Sequence, residues 1–425
     1  MSLRSSIACC VAIGIGLAAI PVGAAAGTGA ATPLARPAAS TDLWSADTPP
    51  FQPRQASSAR PEARATSKGP RTLTVPSKAT PTLAAAVKKI RSNGIIRLLP
   101  GTRSGSVTVT NKTVRIVGAA PALGTTANRS VLRSASRTKP VIRFGKNGGG
   151  TIERVTLRGG NIGVAGTYSK ADQSAGSIPT SISLKSVKIT NVKHGIYGRF
   201  GNLLVENIDI SGVAYGTVIL GAKKVNLFGG QISNCAGTGV LIFNTVPSAL
   251  YVIDNVTLND NQRGGVRVYG NKGLAIVSNI TALRNYGEAL LLWNADHTII
   301  KGSRLADTRN STDSISVGES VGSRRNGVSM VSSDGVLITG NQLSGAFGGL
   351  VNAGGIGVGF GDNTLFNNEY HVVAVDLGGV FGTYSDMGGN SCGFGDPTNP
   401  SAACSVYSPG GLMSVPDAPV DVPNP

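Results

Sequence analysis

The sequence predicts an all-β solenoid, a coil of short strands stacked along one axis, because two apolar patterns recur at a nearly fixed period. The first pattern reads Gly-apolar-x-apolar and opens at glycines spaced by 21, 23, 26, 22, 40 and 22 residues, namely Gly195, Gly216, Gly239, Gly265, Gly287, Gly327 and Gly349. The second pattern lies about ten residues before the first in each copy, at 205–208, 252–256, 276–280 and 338–341. A repeat of this size with two strand signals per copy is typical of solenoids.

The residues within each copy favour short strands joined by tight turns. Runs of four to six residues alternate in polarity and are rich in Val, Ile and Leu, which is the pattern of half-buried strands. Gly, Asn, Asp and Ser separate the runs, and these residues accept the backbone conformations that tight turns require. One copy cannot bury its apolar face alone, so we expect successive strands to pair in parallel, one rung of the coil apart.

Polar residues recur just after the second strand signal. In a stacked coil they would lie above one another at one corner, where their side chains could form a hydrogen-bonded ladder. We interpret this set as structural rather than catalytic: Asn191, Asn234, Asp260, Asn285 and Asn367.

The segment before the first rungs predicts a cap. Residues 81–90 are consistent with a short amphipathic helix that starts at a Thr/Pro pair, and residues 94–101 predict a strand followed by a turn. Together with the repeats, residues 95–376 resemble the right-handed parallel β-helix family, the fold of pectate lyases and many other polysaccharide-acting proteins. The resemblance implies that the helix caps the coil and shields its first rung from water.

Four regions follow from composition. Residues 1–26 resemble a secretory signal, with Arg4 before a 14-residue apolar stretch and small residues at 24–26. Residues 27–70 are rich in Ala, Pro, Ser and Arg and predict a disordered linker. Residues 71–376 form the predicted β-helix domain, and residues 377–425 a Gly/Pro-rich tail or cap. No stretch is long enough to cross a membrane, so we expect a secreted or periplasmic protein.

The cysteines agree with export. Cys9 and Cys10 fall in the predicted signal. Cys392 and Cys404 lie 12 residues apart in a Gly/Pro/Asn-rich segment and could form a disulfide in an oxidising compartment. Cys235 is interpreted as a buried, inert thiol. No Cys/His spacing indicates zinc.

Charge is distributed unevenly along the chain. Residues 73–224 contain 23 Lys and Arg against 4 Asp and Glu, a balance of +19, whereas residues 225–425 contain 9 against 15, a balance of −6. Because position in a solenoid corresponds to distance along its axis, the first half of the coil should be strongly basic and should attract a polyanion. For an exported chain, an acidic polysaccharide fits better than nucleic acid, and anionic membrane lipid or lipopolysaccharide is a further alternative.

On the strands of the first pattern, we expect the second and fourth residues after each glycine to point outward. Two rungs then carry an aromatic residue beside an arginine: Tyr197 with Arg199, and Arg267 with Tyr269. Arginine can pair with a uronate carboxylate, and tyrosine can stack on a sugar or accept a proton. The same count places Ala289 and Leu291 outside. Four further outward positions form an apolar strip that is too large to leave bare, so a loop, the tail or a second subunit should cover it: Val218 with Leu220, and Leu241 with Phe243.

The 40-residue step contains an insertion of about 18 residues, and long insertions in regular folds are common places for function. Trp, Asp, His and Lys just before it are typical of a sugar cleft. We therefore predict a site with catalytic residues Arg267, Tyr269 and His297. The predicted substrate-binding residues are Tyr197, Arg199, Trp293, Asp296, Lys301, Arg304 and Arg309.

The function that these observations favour is an exported enzyme that acts on an acidic polysaccharide, most simply a lyase that performs β-elimination at a uronate. The alternative is a non-catalytic β-helix protein that binds polysaccharide or envelope material. Motifs expected of polygalacturonase-like hydrolases, of alginate epimerases and of calcium-binding pectate lyases are missing. No metal ligand is therefore assigned, and Ca²⁺ is left open as a cofactor.

Overall fold

The computed structural model describes residues 69–121, 128–167, 180–243, 249–309, 325–393, 404 and 406–408. The predicted signal peptide and nearly all of the predicted linker lie outside these residues. The described chain is a right-handed parallel β-solenoid of about 12 turns, so the predicted fold class is confirmed. Each turn passes through three parallel sheets, which we call sheets A, B and C.

Sheet A contains the strands of the first sequence pattern, which open at the repeated glycines. Each of its strands pairs in parallel with the equivalent strand one turn later. Its strands are Val107–Val109, Ile142–Phe144, Ile162–Ala165, Val240–Phe243, Val266–Tyr269, Leu290–Trp293, Val328–Val331, Gly348–Ala353, Tyr370–Leu377 and Val406–Tyr407.

Sheet B contains the strands of the second sequence pattern. They are Thr72–Val75, Gly94–Leu98, Thr113–Val117, Gly149–Glu153, Ser181–Lys185, Leu250–Asp254, Leu274–Ser278, Thr298–Lys301, Leu337–Thr339, Val358–Gly361 and Tyr384–Asp386. Two strands are long enough to bend through all three sheets, namely His194–Ser211 and Tyr215–Ser233.

Sheet C contains a third set of strands, which follow those of sheet B along the chain and which the two sequence patterns did not distinguish from them. They are Gly101–Ser104, Ser130–Arg133, Val155–Arg158, Lys188–Thr190, Thr257–Asn259, Thr281–Leu283, Arg304–Ala306, Gln342–Ser344, Thr364–Phe366 and Ser391–Gly393. An antiparallel strand, Val380–Phe381, folds back on the end of Tyr370–Leu377.

The core lies inside the coil, where one inward side chain from each strand stacks on its neighbours above and below. A single buried cluster runs from Val75 to Cys392 and is built mainly of Val, Ile and Leu. This arrangement explains the alternation in the sequence, because every second residue of a strand faces the axis.

The predicted N-terminal helix spans Leu83–Lys89. Thr82 caps it, with its Oγ1 accepting a hydrogen bond from the backbone N of Ala85 at 3.2 Å. Its buried residues, which include Leu83 and Val87, join the same core cluster as the first strands. The helix therefore packs its apolar face onto the beginning of the coil.

The coil continues past the predicted boundary at residue 376. Strands Tyr384–Asp386 and Ser391–Gly393 pair in parallel with the turn before them. Cys392 belongs to the last of these strands and forms a disulfide with Cys404, as the spacing predicted. Cys235 is a buried free thiol, as expected, and burial raises its pKa to about 12.

The predicted polar ladder exists, and Asn285 belongs to it as predicted. Asn191, Asn234, Asp260 and Asn367 adopt left-handed backbone conformations at the corner after sheet C. In two of these rungs the next residue, Asn261 or Asn368, is buried and takes part in the ladder, whereas Val192 and Cys235 follow Asn191 and Asn234. Asn261 donates its backbone N–H to Oδ1 of Asn285 at 3.0 Å. A second ladder joins Asn341, Asn363 and Asn390 at the corner after sheet B.

The outward register was wrong in one rung. Backbone pairing aligns Arg267 with Leu291 and Tyr269 with Trp293, so the outward residues of that rung are Leu291 and Trp293. Ala289, which the count from Gly287 placed outside, is buried in the interior core. The glycine of this copy lies two residues further from the strand than in its neighbours, and spacing from the glycine alone cannot show that.

Candidate functional site

One turn of the coil spreads the predicted cleft residues over several faces. Trp293 ends a sheet A strand, and Asp296 and His297 lie in the turn that leads to sheet B. Lys301 ends a sheet B strand and Arg304 begins a sheet C strand. Residues that are close in sequence are therefore not brought to one cleft, because about 24 residues complete a full turn around the axis.

The predicted residues outside sheet A have local roles. Asp296 accepts an ion pair from Lys272 at 2.7 Å. His297 is exposed and has a left-handed φ of 52°, so it serves as a turn residue. Arg309 lies over the ring of Tyr286 at 5.7 Å, at the corner that precedes sheet A.

The outer face of sheet A does bring together Arg267, Tyr269 and Trp293. Tyr269 stacks between Phe243 and Trp293, with ring centroids 5.1 and 6.4 Å away. Arg267 pairs with Glu288 of the next rung at 3.0 Å, and the two side chains are only 11% and 1% exposed. Burial opposes the charge on Arg267, but Glu288 and Tyr269 outweigh it and hold its pKa above the ordinary value. Burial raises the pKa of Glu288, and Arg267 opposes that shift.

The same face is closed to solvent along much of its length. Tyr197 is 1% exposed, and burial raises its pKa to about 12. Its ring lies 4.9 Å from that of His194, which stacks on Tyr215 at 5.6 Å. Arg199 follows on the same strand and is half-buried. The apolar strip is also covered within the single chain, since its central residues Val218 and Leu241 are buried.

Three acidic residues of the basic half, Glu153, Glu206 and Asp209, neutralise cations on sheets B and C. Glu153 pairs with Arg115 at 2.6 Å and with Arg154 at 2.9 Å. Two further ion pairs join adjacent rungs: Lys185 with Glu206, and Lys188 with Asp209, each at 2.7 Å. The excess positive charge of this half must therefore be carried elsewhere on its surface.

A groove on the first rungs carries part of that excess. It has a volume of about 820 Å³ and lies where sheet C turns toward sheet A. Its cationic lining residues are Arg103, Arg133, Arg137 and Lys193, and no Asp or Glu lines it among the residues that the structure describes. Its remaining lining residues are Thr102, Ser104, Ser134, Ala135, Gly159, Gly160, Asn191 and Val192. We call this the basic groove.

Arg103 is positioned by its own backbone surroundings. Its two terminal nitrogens donate to the carbonyl oxygens of Thr102 and Pro100, both at 2.8 Å. Its Nε–H is buried and has no hydrogen-bond partner within the described chain. Arg133 stands beside Arg158 of the next rung, so the cations follow the axis of the coil. The charge imbalance indicated a basic surface, but the sequence did not single out these residues.

Metal ligands do not converge in the described part of the chain, where no group of three or more His, Cys, Asp or Glu could hold an ion. None of the helices described there is long and apolar enough to cross a membrane.

The three stacked parallel sheets define a parallel β-solenoid protein. Residues 141–305 match the family model described as the right-handed beta helix region. The fold of the chain is therefore a right-handed parallel β-helix, as the resemblance implied.

Several solved structures have a similar chain path. The A-module of mannuronan C-5 epimerase AlgE4 from Azotobacter vinelandii is 11% identical, with 75% of this chain and 91% of that chain covered and a TM-score of 0.45. The periplasmic alginate epimerase AlgG is 11% identical, with 76% and 75% covered and a TM-score of 0.43. An alginate lyase from Paenibacillus sp. str. FPU-7 is 14% identical, with 80% and 98% covered and a TM-score of 0.34. No curated protein sequence matches the chain.

Proposed function

We propose that this protein is exported and acts on an acidic polysaccharide, and that the basic groove holds the polymer. The observation that carries the proposal is a groove whose described lining contains Arg103, Arg133, Arg137 and Lys193 and no acidic residue. Guanidinium groups pair with carboxylates in a two-pronged geometry, and the hydroxyl and amide groups of the lining can bond sugar hydroxyls.

The groove suits a sugar polymer better than a nucleic acid. Its volume of about 820 Å³ lies in the upper range of ligand sites, which leaves room for a segment of polymer rather than a single ion. No Phe, Tyr or Trp lines it in the described part of the chain, and single-stranded nucleic acids bind largely by stacking bases on aromatic rings.

The reaction that we propose is β-elimination. A cation neutralises the uronate carboxylate, a base removes the proton from C5, the C4–O bond breaks, and a C4–C5 double bond forms while the leaving oxygen takes up a proton. Hydrolysis would need two carboxylates, and the described lining of the groove contains none. Arg267, Tyr269 and His297 are kept as proposed catalytic residues, and Lys193 is the amine that the groove itself could use as a base.

The alternative is a protein that binds the polymer without chemical change. The observation in its favour is that Arg267 is held by Glu288 beneath the surface, while His297 lies in a turn away from the outer face of sheet A. In that arrangement the binding groove and the predicted catalytic residues are separate.

Binding is tested first, with alginate, polygalacturonate and glycosaminoglycans measured by isothermal calorimetry at several salt concentrations. We expect the double variant Arg133→Gln/Arg137→Gln to bind one of these polymers at least tenfold more weakly, with a smaller salt dependence. Lys224→Gln is the matched control, since it removes an exposed charge of the same half outside the groove. If no acidic polymer bound, or if the double variant bound normally, the groove would be the wrong site.

Elimination is tested on the same polymers, with and without calcium, by ultraviolet absorbance of the C4–C5 double bond. A rise with one polymer would establish a lyase, and Arg267→Gln, Tyr269→Phe, His297→Gln and Lys193→Gln would then identify the residues that matter. Binding without any rise in absorbance would support the non-catalytic alternative.

A further inference from the structure

A second cavity on the first rungs differs in chemistry from the basic groove. It has a volume of about 410 Å³ and lies on the outer face of sheet B, near the corner that leads to sheet C. Its floor is apolar, and three arginines surround it. The lining residues are Ile95, Arg97, Leu98, Leu99, Arg115, Val117, Gly118, Ala119, Ala120 and Arg154.

The floor of this cavity is open to solvent. Leu99 is 44% exposed, although large apolar side chains are usually removed from water. Ile95 and Val117 are only partly buried beside it. An apolar surface within a cavity of this size is typical of a site for a small molecule with an apolar body.

The rim of the cavity carries excess positive charge. Glu153 is shared between Arg115 and Arg154, so one carboxylate faces two guanidinium groups. Arg97 is exposed and has no ion pair with any residue that the structure describes. The Nε–H of Arg154 is buried and lacks a hydrogen-bond partner in the same part of the chain. These donors are placed to receive an anionic group.

Arg154 also occupies an unusual backbone position. It has a left-handed φ of 53°, at the corner that directly follows a sheet B strand. Small or turn-forming residues hold this corner in other rungs, as expected because left-handed backbone disfavours large side chains: Ser186, Asn207, Gly229, Asn255, Asn279, Gly302, Gly340 and Asp362. An arginine at this corner is therefore not explained by the turn itself.

We propose that this cavity binds a small amphiphilic anion, a molecule with a carboxylate or phosphate head and an apolar body. The head would lie among Arg97, Arg115 and Arg154, and the apolar body would cover Leu99, Ile95 and Val117. A sugar polymer does not fit this description, so the site is separate from the basic groove.

Calorimetry with the full mature protein tests the proposal, using decanoate below its micelle concentration as the probe. Acetate provides the head without the apolar body, and decanol provides the body without the charge. We expect decanoate to bind and both comparison compounds to bind at least tenfold more weakly. If acetate bound as well as decanoate, the cavity would be a general anion site. If decanol bound as well, it would be a general apolar surface. If decanoate did not bind, the cavity would not be a binding site. Each of these three results would overturn the proposal.

The matched variants separate binding from folding. Arg154→Asn keeps a residue that accepts the left-handed corner, so it should leave the thermal unfolding temperature nearly unchanged while weakening decanoate binding about tenfold. Leu99→Ser should weaken decanoate and leave acetate unaffected. Arg133→Gln/Arg137→Gln should bind decanoate normally, which distinguishes this site from the polymer groove. Normal decanoate binding by Arg154→Asn would contradict the assignment.

Discussion

Arg267 and Glu288 form an ion pair across two adjacent rungs, with Nη2 and Oε2 3.0 Å apart and both side chains almost inaccessible to solvent. A charge buried in this way is tolerated only while its partner is present. Removing the carboxylate in Glu288→Gln should lower the free energy of unfolding by about 3–5 kcal/mol, measured by urea denaturation.

The comparison for this pair is the double variant Arg267→Met/Glu288→Leu. It removes both charges and should retain much more of the stability than Glu288→Gln does, because no charge is left unpaired. Equal losses in the single and double variants would mean that the side chains stabilise the fold by packing rather than by pairing.

Asn367 and Asn368 are neighbours in sequence with opposite expected sensitivities. Asn367 is exposed at the corner with a φ of 52°, and glycine adopts that conformation easily. Asn368 is buried, accepts the backbone N–H of Ala346 and donates to the carbonyl of Leu343, both at 3.0 Å. Asn367→Gly should change stability by less than about 1 kcal/mol, whereas Asn368→Ala should cost about 2 kcal/mol or more. Similar losses from both changes in chemical denaturation would contradict the assignment of Asn368, rather than Asn367, to the ladder.

The disulfide between Cys392 and Cys404 joins the last turn of sheet C to the segment that continues to Val406–Tyr407. Tyr407 of that segment stacks on Tyr370 with ring centroids 4.2 Å apart. Cys392→Ser/Cys404→Ser should lower the free energy of unfolding by about 2–3 kcal/mol in non-reducing buffer. Wild-type protein measured with a reductant provides the control and should match the variant, and an unchanged variant would show that the loop does not limit stability.

Stability should also depend on Glu153 at acid pH. The hydrogen bond from Arg115 lowers the pKa of Glu153 below its ordinary value of 4.5, burial opposes this, and Arg154 adds to the lowering. Because its pKa is lower in the folded state, the ionised carboxylate of Glu153 stabilises the fold at pH values above 4.5. This stabilisation is lost as the pH falls through the lower, folded-state pKa. The difference in unfolding free energy between wild type and Glu153→Gln should therefore shrink steadily below pH 4.5. A difference that stayed constant across that range would show that Glu153 does not act through its charge.

The repeat could be predicted from the sequence because its causes are local. Alternating Val, Ile and Leu determine which side of a strand faces the core, and Asn or Gly at a corner accepts the left-handed backbone. The same reasoning placed Arg267 and Tyr269 correctly on one outward face. It failed for Ala289, because the distance from a glycine to its strand varies between rungs and only backbone pairing reveals the alignment.

The site could be predicted only in part. The imbalance of charge located a basic region along the axis, but Arg103, Arg133, Arg137 and Lys193 come from three different turns and converge only after the coil has wound. Conversely, Trp293, His297 and Lys301 are close in sequence and point to different faces. Sequence proximity is a poor guide to proximity around a solenoid axis.

The sequence by itself determined the solenoid fold, its period, the direction of its core side chains, the disulfide and the basic character of its first half. The tertiary structure decided which cations share a groove, that Arg267 pairs with Glu288 under cover, and that Arg154 faces an apolar cavity. The physical reason is that periodicity and charge are properties of single segments, whereas a site depends on the register between turns, which the paired backbones determine together.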